Sequence, residues 1–175
     1  GTEVPAPGGV TELEHELAPT PVQAVLHTLN THKAAFAAAS LGQDVWQKVI
    51  AVVVQPGVEF DNSKVHLFDA PASQALTAFI QRQQGLVYEA HSTDYQLPEH
   101  LKALVQGHLA ILKVGPVLTF ALREALFAVS FIEDELVAVA QSSQLRQRCK
   151  ALMQDKPGYW QKFYTDTEQG WQLLY

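Results

Sequence analysis

The run Val49-Ile50-Ala51-Val52-Val53-Val54 constrains the fold more than any other part of this chain. Its β-branched side chains crowd a helix but suit a pleated strand. It does not alternate with polar residues, so both faces of the strand are expected to be buried, as in a parallel sheet. Gln55-Pro56-Gly57 then closes it. Proline lacks the N–H that would continue a ladder.

Helices and strands alternate around this run. Thr20 is a good N-cap and Pro21 suits a first helical position. The spacing of Val25, Leu26, Leu29 and Phe36 predicts a helix over 22–39, with Gly42 as its stop. A short helix is expected over 44–48. Leu76, Phe79 and Ile80 form the stripe of a helix over 72–84, stopped by Gly85. A strand is expected over 86–91, a helix from Pro98 to Gly107, and a strand over 110–114 that ends at Gly115-Pro116. Strand, helix, strand, helix, strand, helix is the pattern of βαβ units around a parallel sheet. If Gly1-Thr2-Glu3-Val4 is the tail of an earlier strand, the chain shows about half the strands of a (β/α)8 barrel, which takes about 250 residues. The expectation is therefore an α/β chain in which 1–140 is the C-terminal half of a TIM-type barrel and 141–175 is a helical, aromatic-rich extension. The chain begins at Gly1 without Met and reads as a piece of a longer protein.

The stretch 117–136 is apolar on more than one face. Leu118, Leu122, Ala125, Val129, Ile132 and Leu136 form one stripe, and Phe120, Phe127 and Phe131 a second. A helix apolar nearly all round is expected to be buried on both sides. The covering elements would be the barrel and the extension, or alternatively another subunit.

Charge and composition narrow the partners. The 175 residues carry 12 Lys+Arg against 18 Asp+Glu, a net charge of −6. That excludes the basic footprint a nucleic-acid binder needs, and no polybasic cluster is present to hold anionic lipid. No apolar run reaches the roughly 18–20 residues of a membrane span; the nearest, Val114 to Ile132, is broken by Arg123-Glu124. A single cysteine, Cys149, leaves no internal disulfide or Cys-based zinc cage, so a cytoplasmic location is expected.

Sites in parallel α/β folds lie at the carboxyl ends of strands. Glu89 and His91 are two apart, so a strand would turn them to one side. A carboxylate beside an imidazole tunes it as a base or orients it as a metal ligand. Ser92, Thr93 or Asp94 follow and could cap the next helix or bind a substrate. Glu59 follows the first strand, and Glu3 stands in a similar place; each is a candidate base or ligand, and each could equally make an ordinary ion pair. Lys113 can bind an anion or form an ion pair, with Schiff-base chemistry a lesser alternative. Gly115 would let a phosphate approach the N–H groups of the following helix. Glu59, Glu89, His91 and Lys113 are thus the catalytic candidates. Ser92, Asp94 and Gly115 are the phosphate-binding candidates. Glu3, Glu59 and His91 are the candidate ligands of a divalent metal, zinc or manganese. No His-Glu-x-x-His, Gly-x-Gly-x-x-Gly, nucleophile elbow or Walker loop is present.

Several longer runs resemble a known family. They are Gly1-Thr2-Glu3-Val4-Pro5-Ala6-Pro7-Gly8-Gly9, Val54 to Asp61, Val87 to Gln96, Ile111 to Pro116 with Thr119 to Phe127, and Lys156 to Lys162. Together they are similar to the non-catalytic subunit of class II D-tagatose-1,6-bisphosphate aldolase, a family also labelled tagatose-6-phosphate kinase. The resemblance implies a TIM-type barrel, a place in galactitol or amino-galactose breakdown, and a partner. That partner is a catalytic subunit that splits tagatose-1,6-bisphosphate with zinc held by three histidines. Its Gly-Thr-x-His-Gly is represented here by Gly1-Thr2-Glu3-Val4-Pro5, and its Lys-x-Asn by Lys113-Val114-Gly115. Of the usual histidines only His91 is visible, so the standard metal site is not expected to assemble. The leading expectation is an accessory subunit acting by protein contact, with a sugar phosphate as possible ligand. The alternative is a metal-dependent 4-epimerase of a ketohexose or its 6-phosphate, and a kinase is the least favoured.

Overall fold

The structure is a computed structural model that describes residues 17–61 and 64–161. The valine run forms β1 (Ala51–Val54), followed by a short antiparallel hairpin of β2 (Glu59–Phe60) and β3 (Val65–His66). Then come β4 (Val87–Ala90) and β5 (Leu109–Leu112). β1, β4 and β5 make one parallel sheet in the order β1-β4-β5. The helices before its strands are α1 (Val22–Ala38), the short α2 (Gln43–Trp46), α3 (Gln74–Ile80) and α4 (Pro98–Gln106). The expected α/β alternation with parallel strands is present. A hairpin was not expected over 59–66; its two-residue strands are too short to show a period.

Register fixes what each face of the sheet carries. Val53 lies beside Glu89, and Glu89 beside Ile111. The alternate residues Val52, Val54, Tyr88 and Ala90 join Leu109 in one core cluster with Val25 and Leu29 of α1, Leu76 and Ile80 of α3, and Leu104 of α4. Three helices therefore bury one face of the sheet, and Val53 and Glu89 point to the other. That arrangement is consistent with a section of barrel wall, whereas a doubly wound sheet carries helices on both faces. Tyr88 is the largest fully buried side chain; its hydroxyl donates to the Leu76 carbonyl at 3.2 Å. Burial pushes its phenol well above the usual value.

Two terminator expectations are corrected. α1 ends at Ala38 and turns through Ser40 in the left-handed region (φ 57°), while Gly42 stands just before α2. Thr20 does not cap α1 with its side chain. Its hydroxyl is taken by the end of β1, where it accepts from the Gln55 N–H at 2.8 Å.

The chain divides into two compact units at Gly115–Pro116. The second holds α5 (Pro116–Leu136), α6 (Leu145–Asp155) and a 3-10 turn over Pro157–Tyr159. Thus α5 and α6 belong to the second unit. Glu133 accepts from the Ser143 hydroxyl and N–H at 2.6 and 2.9 Å, which holds the turn between the helices and keeps its carboxyl below the usual value. Arg146 pairs with Asp134 and lies 3.8 Å over the Phe131 ring. Trp160 is buried and donates from Nε1 to the Met153 carbonyl at 2.7 Å.

The expected burial of α5 is not found. Ser130 is its one buried residue, whereas Leu118, Leu122, Val129, Ile132 and Leu136 are exposed, Leu136 to 80%. Of the second stripe, Phe120 and Phe131 are exposed and Phe127 is half-buried. The stripe itself is regular, stepping by four and three residues, but α6 is too short and too polar to cover it.

Candidate functional site

Three loops leave the C-terminal ends of the parallel strands, and buried polar side chains fasten each one. After β1, Thr20 donates its N–H to the Gln55 carbonyl at 2.7 Å. The Gln55 side-chain oxygen accepts from the N–H groups of Gly57 and Val58, both at 2.9 Å. Gly57 sits at φ +93°, a backbone that glycine alone adopts freely. Ser73, buried before α3, donates to the Pro56 carbonyl at 2.7 Å. The chain is thereby turned so that Glu59 enters the interior, fully buried, with its Oε1 accepting the Phe60 N–H at 3.0 Å. Glu59 stands opposite His66 in the hairpin.

At the end of the central strand β4, the period of two brings Glu89 and His91 together. His91 Nε2 lies 2.8 Å from Glu89 Oε1, with side-chain exposures of 11% and 18%. A carboxylate only accepts, so Nε2 carries the hydrogen of this bond and Nδ1 remains for another partner. Glu89 also lines a cavity of about 430 Å³ together with Ile111, Ala51, His32, Lys48 and Trp46, which lies along β1. The pair can take up and return a proton, with the carboxylate stabilising the charged ring.

The loop after β4 is bolted to the end of β5. Thr93 is 2% exposed, and both its N–H (3.3 Å) and its hydroxyl (2.9 Å) donate to the Lys113 carbonyl. Lys113 N–H donates back to the Ala90 carbonyl at 2.9 Å, and its side chain is exposed at this end. Asp94, also 2% exposed, accepts the Gly115 N–H at 2.9 Å. The Gly115 amide is therefore directed at a carboxylate of the protein itself. Gln96 fastens the same loop to the hairpin, accepting from Phe68 N–H at 3.0 Å and donating to the His66 carbonyl at 2.8 Å. Ser92 (φ 54°) and Tyr95 (φ 61°) both take the left-handed backbone.

The candidates are thus placed as follows. Glu89 and His91 meet, Asp94 and Gly115 meet, and Lys113 is tied through its backbone to Thr93; Glu59 is buried beside the hairpin. Glu3 lies outside the described residues. No group of three or more His, Cys, Asp or Glu side chains comes together among the described residues. The described residues by themselves therefore assemble no zinc or manganese centre. No helix among the described residues is long and apolar enough to cross a membrane.

Removing the Asp94 carboxylate leaves the donor of a part-buried hydrogen bond, the Gly115 N–H, without its acceptor. Asp94→Ala is expected to lower stability by about 1–3 kcal/mol, and to expose the Gly115 amide to hydrogen exchange. Chemical denaturation and amide exchange on full-length protein check both.

Comparison with known proteins assigns the family. Residues 1–175 match the family described as D-tagatose-1,6-bisphosphate aldolase subunit GatZ/KbaZ-like. The chain belongs to this GatZ/KbaZ-like family. Among solved structures it is similar to the crystal structure of a probable tagatose 6 phosphate kinase from Sinorhizobium meliloti 1021, with 41% identity and a TM-score of 0.84. The alignment covers 91% of this chain and 41% of that one, so the chain spans less than half the length of this relative. In this GatZ/KbaZ-like chain the anchoring side chains that sequence reasoning passed over are those of Gln55 and Gln96. Their signal was weak: each is an amide side chain within two residues of a proline, a place where such groups hydrogen-bond to backbone.

Proposed function

We propose that this chain belongs to an accessory, non-catalytic subunit that binds the catalytic subunit of class II tagatose-1,6-bisphosphate aldolase and raises its activity and lifetime. The match to the aldolase-subunit family over the whole chain carries this reading. Galactitol and N-acetylgalactosamine breakdown in the cytoplasm is the setting, and the three strands form part of a TIM-type barrel wall. Support by contact asks for a preserved scaffold rather than a complete metal site, and the polar bolts between the strand ends supply one. The test mixes full-length protein with a purified catalytic subunit. Retro-aldol turnover of the mixture is expected to exceed that of the catalytic subunit several-fold and to outlast it at 37 °C, while the accessory protein alone gives none. Equal turnover and equal lifetime with and without it would end the proposal.

A second reading is favoured by the Glu89–His91 pair at 2.8 Å. It is 4-epimerisation of a ketohexose 6-phosphate. His91 would take the proton of the C4 hydroxyl as the C3–C4 bond breaks, leaving a three-carbon enediolate and glyceraldehyde 3-phosphate. Rotation of the aldehyde and re-formation of the same bond, with the proton returned from His91, gives the epimer. Lys113, exposed at the same end, suits the phosphate. Conversion of fructose 6-phosphate to tagatose 6-phosphate by full-length protein, without the partner, is the measurement that decides it.

A further inference from the structure

The geometry points to Tyr95 as a residue that contacts the ligand, its ring face forming a platform for the carbon skeleton of a sugar phosphate. This rests on the ketohexose 6-phosphate site of the second reading above. Tyr95 lies on the loop leaving β4, four residues beyond His91, at the end of the sheet that also carries Lys113. Its neighbours on both sides, Asp94 and Gln96, are buried, yet Tyr95 itself is 36% exposed. Its φ of 61° is a left-handed backbone that a bulky L-residue adopts only at a cost, and such outliers persist where the surroundings over-determine them.

Those surroundings are visible. Asp94 is fixed to Gly115, and Gln96 to Phe68 and His66, so the peptide between them has no freedom to relax. Phe60 meets the Tyr95 ring edge-on, with centroids 5.3 Å apart and planes at 81°. An edge-on neighbour steadies a ring without covering both of its faces. A glycine or asparagine would satisfy this turn without strain. The turn instead holds an exposed aromatic ring, in T-shaped contact with a second ring, on a loop at the C-terminal end of the sheet. The C–H faces of a sugar suit such a surface.

The test is fructose 6-phosphate binding to full-length protein by titration calorimetry, paired with thermal melting. Tyr95→Gly relieves the backbone strain, so its melting temperature is expected to be unchanged or raised while affinity falls at least tenfold. A side chain with only a structural role would not show that divergence. Tyr95→Phe keeps the ring and is expected to stay within threefold of the unsubstituted affinity; a loss equal to that of the glycine variant would overturn the platform role. If the unsubstituted protein binds and Tyr95→Gly binds equally well, this proposal fails alone. If the unsubstituted protein does not bind fructose 6-phosphate, the epimerase reading and this proposal fail together.

Discussion

Full-length protein carrying His91→Ala is expected to lose about 10²–10⁴-fold of any fructose 6-phosphate epimerisation, the usual contribution of a positioned acid–base group. Its ability to raise the turnover of the catalytic aldolase subunit is expected to stay within twofold. The two readouts separate the two proposed roles, because proton transfer needs the imidazole and protein contact does not. Glu89→Gln keeps a hydrogen-bonding partner 2.8 Å from the ring but removes the carboxylate. It is expected to fall between the wild-type protein and His91→Ala in turnover, since a carboxamide orients the ring without stabilising its charged form. Epimerisation that survives His91→Ala at full rate would take the chemistry away from this pair. Loss of aldolase support in the same variant would place His91 in the contact with the partner.

Tyr88→Ala is expected to be the most damaging single change to the fold, at about 3–5 kcal/mol, as for other large aromatic truncations in cores. The ring is fully buried in the central strand, between residues supplied by all three covering helices. Its removal also leaves the Leu76 carbonyl without its donor. Tyr88→Phe separates the two losses and is expected to cost about 0.5–1.5 kcal/mol. The phenylalanine variant also reports on alkaline pH. Burial raises the folded-state pKa of Tyr88 above its ordinary value of 10.0, so its stabilisation is fully present below about pH 10 and is lost progressively as pH rises beyond it. Denaturation midpoints measured from pH 8 to 11 should fall more steeply in the wild-type protein than in Tyr88→Phe. Parallel curves would mean that the phenol ionises no differently in the two states.

The sheet was legible in the sequence because its signals are continuous. A run of valines has one reading once it is too short to span a membrane and is closed by Pro56-Gly57. The Glu89–His91 meeting was legible for the same reason, since a period of two leaves two alternating strand residues on one side. The small hairpin around Glu59 was not, because two-residue strands have no period and Gln96, which fastens the second of them, lies far along the chain. Nor was the use of the Gly115 amide. Glycine before a helix suggests close approach to the helix amides, and only three-dimensional placement reveals that Asp94 reaches the glycine's own N–H. Thr20 illustrates competition between two local rules. The residue type and the following proline favour a helix cap, but the end of β1 offers the hydroxyl a partner in the sheet unit, and that partner prevails. For α5 the periodicity shows which side chains share a face but not what lies against them.

That face has a kinetic consequence. Apolar side chains turned to water along 21 residues lower their free energy in any encounter that dehydrates them. Where two molecules must meet to do so, the rate grows as the square of protein concentration, and the lifetime of the uncovered face shortens in inverse proportion. Dilution therefore slows any such encounter.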